Sequence, residues 1–165
     1  MRATSLVIPF LILLHTLQIH AQPDKRIMLY NPEADAVAQI DSAVLLANNT
    51  GKHVLLQIGG NWCSWCIKFH QFCHNDQGLD SLIQANYVVL KVNYSKENTN
   101  DAILKKLEYP QRFGFPVFVV LDGKGKRLHT QDSGYLEAGG SYDREKVERF
   151  FKSWSPQALN PDNYR

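Results

Sequence analysis

Trp62, Cys63, Ser64, Trp65 and Cys66 follow one another in this chain, and two cysteines at that spacing can do redox chemistry. They come after a strongly apolar run, His53-Val54-Leu55-Leu56-Gln57-Ile58, and a Gly59-Gly60-Asn61 turn. The order predicts a buried strand, a short turn and two cysteines opening a helix. Cysteine reacts as the thiolate. The unpaired N–H groups and the positive dipole end at a helix start favour that charge. In a first helical turn, Cys63 and Cys66 can approach to a Cα separation of roughly 4.4–6.8 Å, the span of a disulfide. The pair can therefore exist as a disulfide or, two electrons richer, as a dithiol.

Residue types alone leave other uses open. Cys63 and Cys66 can form a purely structural bridge. With His70 and Cys73 they also make four candidate metal ligands, because Cys66, His70 and Cys73 share one helical face. A straight helix, however, separates Cys66 from Cys73 by a rise of about 10 Å. One ion with bonds of about 2.3 Å cannot reach both ends, and the same rise forbids a Cys66–Cys73 disulfide. Cys73 is expected to be buried and inert, with a regulatory or intermolecular thiol as the alternative. His70 and His74 are expected at the surface or the helix end, and Phe69 and Phe72 in the core. Trp65 either contacts substrate or packs against the loop around Tyr135. No Cys-x-x-Cys-His run occurs, so covalent haem attachment is not indicated. No metal and no organic cofactor is implied.

The chain has 165 residues and a formal charge of +2, which suits one domain with its own core. The near-neutral balance leaves no electrostatic footprint for nucleic acid. Three cysteines are too few for a disulfide scaffold. Residues 1–21 read as a secretory signal peptide: Arg2, the apolar run Leu6 to Leu14, and Ala21 before Gln22-Pro23. The apolar stretch is shorter than the ~20 residues a membrane-spanning helix needs. An uncleaved anchor is the alternative. The expected organisation is a signal peptide over 1–21, one domain over 22–154, and a flexible tail over 155–165.

The surrounding elements follow from periodicity and turn chemistry. Arg26 to Tyr30 is a candidate first strand. Asn31-Pro32-Glu33 is expected to start a helix whose apolar positions are Val37, Ile40, Val44 and Leu45. Asn48 to Gly51 stops it. A helix runs from Cys63 to about His74, and a short one from Leu79 to Ala85. Tyr87 to Val92 is a second core strand. Asn100 or Asp101 caps a helix through Leu107. Gly114-Phe115-Pro116 introduces the strand Val117 to Leu121. Asp122-Gly123-Lys124-Gly125 turns the chain into a returning strand, Arg127 to Gln131. Gly134 to Gly140 is a loop. Asp143 caps a last helix with the apolar face Val147, Phe150, Phe151 and Trp154. The order β-α-β-α-β-α-β-β-α predicts an α/β fold, a mixed central sheet with helices on both faces.

On these residues the chain resembles the thioredoxin superfamily, and secreted bacterial thioredoxin-like proteins in particular. The resemblance spans about residues 25–154. It rests on Trp62-Cys63-Ser64-Trp65-Cys66 between strand and helix, on Gly114-Phe115-Pro116 before an apolar strand, and on the element order. It implies a thiol–disulfide oxidoreductase in which Cys63 attacks a substrate disulfide and Cys66 resolves the mixed disulfide. Pro116 matches the family's cis-proline, which would present the backbone of Phe115 to an extended substrate. Trp62 matches the tryptophan packed beside the motif. The implied substrate-binding residues are thus Trp62, Trp65, Phe115 and Pro116. The implied partners are protein disulfides and an upstream protein dithiol that donates electrons. The implied location is periplasmic or secreted, with no stable membrane insertion after signal cleavage. The chain departs from thioredoxin at Gln57, which stands where that protein has a buried aspartate and cannot ionise. Lys91 matches the lysine that pairs with that aspartate. With Ser64-Trp65 between the cysteines and no histidine there, a reductant or mild exchanger is expected.

Overall fold

A computed structural model describes residues 27–165. The signal-peptide reading of residues 1–21, and Arg26 of the candidate first strand, lie outside the described residues. The central sheet is built from β1 (His53–Gly59), β2 (Tyr87–Asn93), β3 (Val117–Leu121) and β4 (Arg127–Asp132), in the order β2-β1-β3-β4. β1 and β2 are parallel, while β1/β3 and β3/β4 are antiparallel. The parallel step needs a crossover. Two helices supply it, α2 (Ser64–Asn75) and α3 (Gln77–Asn86).

Alternation along β1 and β3 sends side chains to two separate layers. Val54, Leu56 and Ile58, with Val117, Val119 and Leu121, pack on α1 (Ala36–Thr50) and α4 (Asp101–Lys106). Leu55, Phe118 and Val120 face α2, α3 and α5 (Arg144–Ser153). Both strands are buried along their whole length, as expected for central strands covered on two faces.

Several local expectations are corrected. Residues 27–30 form no strand. The N–H groups of Leu29 and Tyr30 donate instead to Asn61 Oδ1, at 2.9 and 3.0 Å, so they are satisfied without a ladder. The first helix begins at Ala36 rather than at Asn31. Asp35 accepts from the N–H groups of Val37 and Ala38, while Asn31 closes a separate turn by accepting from Glu33. The buried face of α1 is accordingly Ala36, Ile40, Ala43 and Ala47, and Val37 and Leu45 are exposed. β2 is an edge strand rather than a fully buried one, with Val89 on the surface. The expected 134–140 loop is a short 3-10 turn leading into a hairpin of β5 (Glu137–Ala138) and β6 (Ser141–Tyr142). A 3-10 turn spans Pro161–Tyr164, and Tyr164 Oη donates to the Ala158 carbonyl. No helix among the described residues is long and apolar enough to cross a membrane.

Candidate functional site

The site forms where β1 ends and α2 begins. Cys63 is the N-cap of α2, and its Sγ accepts the N–H of Cys66 at 3.1 Å. That is the place a helix start offers an unsatisfied donor, so negative charge on Cys63 is stabilised by a backbone N–H and by the dipole. Cys63 and Cys66 are joined by a disulfide, S–S 2.12 Å, with Cα atoms 5.2 Å apart. Cys66 is fully enclosed and Cys63 slightly less so. Cys73, seven residues along the same helix, is a free, buried thiol in the other core layer. Burial pushes it up to about 12, which keeps it protonated and inert.

Trp62, Phe115 and Pro116 come together beside the bridge. Trp62 is 58% exposed, and its Nε1 donates to the Tyr94 carbonyl at 2.7 Å. Gly60 makes room for this pose, since a Cβ there would stand 2.3 Å from Trp62 Nε1. The ring of Phe115 meets Trp62 edge-on at 5.4 Å and stacks on Tyr94 at 4.7 Å. Phe115 also packs on the cluster of Tyr30, Cys63 and Cys66, and the Phe115–Pro116 bond is cis. Trp65 is half-buried rather than freely exposed. Its partner is Tyr142 on β6, edge-on at 5.4 Å, not the loop around Tyr135, and the Lys68 ammonium lies 4.3 Å over its ring.

Beneath the disulfide lies a buried polar chain. Lys91 donates to Gln57 Oε1, and Gln57 Nε2 donates to Tyr30 Oη at 2.8 Å and to the Cys66 carbonyl at 3.0 Å. Desolvation pulls the Lys91 ammonium down to about 8, and burial pushes the Tyr30 phenol well above its ordinary range. The Gln57–Lys91 pair is legible in the sequence, whereas the part of Tyr30 is not. It sits in a segment whose pattern suggests a strand, and it is held under Cys66 by Asn61 and Gln57, which are distant in sequence.

His70 and His74 stack at 5.7 Å on α2, and both line a cavity of about 290 Å³ with Cys73 and Lys91. Burial lowers the His70 pKa, and the Lys91 charge lowers it further. Among the described residues no group of three or more His, Cys, Asp or Glu side chains is arranged to hold a metal ion. The four ligands considered from sequence do not converge.

A four-stranded mixed sheet with helices on both faces, a cis-proline and a strand–disulfide–helix junction together define a thioredoxin fold. The family model described as "Thioredoxin-like" matches residues 35–123, more than half of the chain, which therefore belongs to that family. The chain is 27% identical over 119 residues to Thiol:disulfide interchange protein DsbD of Ralstonia nicotianae, covering 72% of this chain and 19% of that protein. It is 30% identical over 95 residues to the protein of that name from Actinobacillus pleuropneumoniae, covering 56% of this chain and 16% of that one. It thus spans less than a fifth of either relative. Among solved structures, a disulphide isomerase from Xylella fastidiosa Temecula1 superposes with a TM-score of 0.68 at 26% identity. That match covers 77% of this chain and 96% of that one.

Proposed function

We propose that this chain is an exported thiol–disulfide oxidoreductase that reduces or exchanges protein disulfides through Cys63 and Cys66. One observation carries the reading. The two sulfurs are bridged at the start of α2, with Cys63 Sγ on the N–H of Cys66, so the thiolate released on reduction has a donor already in place. The interchange proteins and the isomerase to which the chain is similar support it.

In the forward direction the Cys63 thiolate attacks one sulfur of a substrate cystine, and the other sulfur leaves with the electron pair and takes a proton. A Cys63–substrate mixed disulfide results. The substrate strand lies along Phe115-Pro116, with Trp62 and the exposed part of Trp65 as flanking contacts. Cys66 then attacks Cys63 and releases the reduced substrate. An upstream protein dithiol returns two electrons to the Cys63–Cys66 bridge. A periplasmic or secreted setting, following removal of residues 1–21, fits this chemistry.

The experiment is a trap. Cys66→Ser cannot resolve the mixed disulfide, so the expected product in extracts is a set of covalent adducts that dithiothreitol releases and Cys63→Ser lacks. An empty trap would contradict catalysis and leave the bridge a structural brace.

A further inference from the structure

The hydrogen bonds beneath Cys66 have a direction, and they end on a proton with no acceptor among the described residues. A lysine ammonium only donates, so the Gln57 atom facing Lys91 is Oε1. This fixes the amide. Nε2 faces the other way, and its two hydrogens go to Tyr30 Oη and the Cys66 carbonyl. Tyr30 Oη therefore accepts from Gln57, and among the described residues it makes no other hydrogen bond. Among the described residues its own proton has no acceptor, in a residue only 3% exposed. Buried donors rarely stay unpaired. Cys66 Sγ lies beside it: a Cβ on Gly59 would stand 2.4 Å from that sulfur and 3.0 Å from Tyr30 Oη, so both flank one small space.

We propose that Tyr30 Oη donates a hydrogen bond to the Cys66 thiolate in the reduced protein and so promotes the resolving step. This rests on the thiol–disulfide reading above. Cys66 first loses its proton to solvent. Its Sγ then attacks Cys63 Sγ. The Cys63–Cys66 bond forms as the Cys63–substrate bond breaks, and the electron pair leaves on the substrate sulfur, which takes a proton from solvent. Tyr30 keeps its proton throughout, since burial holds the phenol neutral. A glutamine under Cys66 can take no proton from it. By turning the tyrosine hydroxyl, Gln57 presents the sulfur with a donor instead.

The test is Tyr30→Phe, which removes the hydroxyl alone. In a Cys63→Ser background the Cys66 thiolate is titrated by its ultraviolet absorbance, and its pKa is expected to rise by about 1 to 2. With Cys63 intact, resolution of a preformed mixed disulfide at neutral pH is expected to slow roughly three- to tenfold. The loss of thiolate is partly offset by the greater nucleophilicity of a more basic sulfur. Fluorotyrosine at position 30 keeps the shape and strengthens the donor, so the Cys66 pKa is expected to fall. A merely structural tyrosine would not move it in opposite directions. An unchanged Cys66 pKa in both proteins overturns the inference. If the unaltered protein resolves mixed disulfides and Tyr30→Phe does so at the same rate, this inference alone fails. If the unaltered protein resolves none, the functional reading fails first.

Discussion

Gly59→Ala adds one methyl group directly beneath the disulfide. The new Cβ would stand 2.4 Å from Cys66 Sγ, 3.0 Å from Tyr30 Oη and 3.4 Å from Tyr30 Cζ. None of these neighbours can step aside cheaply. Cys66 is tied to Cys63 by the bridge, Tyr30 is held by Gln57 at 2.8 Å, and both are buried. The backbone is pinned as well, because Gly59 ends a strand paired with Asn93 and its carbonyl accepts from Tyr94. Overpacking of a core costs about 1–3 kcal/mol. With the sulfur contact more than an ångström too short, the upper end applies, about 3 kcal/mol. For a domain of this size that lowers the melting temperature by about 10 °C. The assay is thermal and urea unfolding of the oxidised protein, with Gly78→Ala as the control. Gly78 is exposed in α3, and a Cβ there would meet only the side-chain ends of Arg144 and Asp76, at 3.0 and 3.2 Å, a milder approach than at Gly59. That change is expected to be neutral or to stabilise by up to about 1 kcal/mol through helix propensity. A Gly59→Ala protein within about 0.5 kcal/mol of the original would refute the packing described beneath Cys66.

Three further outcomes follow from named contacts. Phe69 packs on Phe118, Tyr142 and Phe151 at centroid distances of 4.4, 4.9 and 6.3 Å. Phe69→Ala is expected to cost about 3–5 kcal/mol in urea unfolding, and a cost below about 1 kcal/mol would contradict this core. Asp143 caps α5 by accepting the N–H of Lys146 at 3.0 Å, so Asp143→Ala should lose about 1 kcal/mol and Asp143→Ser much less. Cys73 gives a pH signature. Its folded pKa is raised from 9.0 to about 12, so the native state holds a proton that the unfolded chain gives up. The stability this contributes is complete below about pH 9 and is lost as pH rises towards 12. The cost of Cys73→Ala should therefore be about 1 kcal/mol smaller at pH 10 than at pH 7, with the disulfide kept oxidised. Lys91, lowered to about 8 chiefly by desolvation, acts with the opposite sign; that desolvation is common to both proteins, while its smaller charge interaction with Cys73 is lost with the thiol. A cost independent of pH would mean that Cys73 is solvated.

Much of the fold is legible because local and long-range signals agree. Val54 to Ile58 and Val117 to Leu121 read as buried strands since both are covered on two faces. Asp143 and the Asp122 turn act locally and need no tertiary context. Sequence reasoning fails where two local signals compete or where the partner is distant. Asn31 and Asp35 are both sound capping residues, and packing of Ala36, Ile40, Ala43 and Ala47 on the sheet selects the second. Leu29 and Tyr30 have a strand-like composition, but Asn61 satisfies their backbone from 31 to 32 residues away. At the site, the spacing of the cysteines and the proline before β3 is readable. The orientation of Trp65 depends on Tyr142, and that of the Tyr30 hydroxyl on an amide fixed by Lys91. Such dependences run through three dimensions and leave no pattern in one.

The most direct test of the redox reading is equilibration of the protein with defined glutathione or dithiothreitol ratios, followed by thiol counting. The expected result is one reversible two-electron couple that disappears in Cys63→Ser while Cys73 stays reduced, with a potential towards the roughly −270 mV of a thioredoxin-type reductant. A potential near −180 to about −120 mV would reverse the expected direction of electron flow. Failure to form a reversible Cys63–Cys66 disulfide at any ratio would contradict the oxidoreductase function itself.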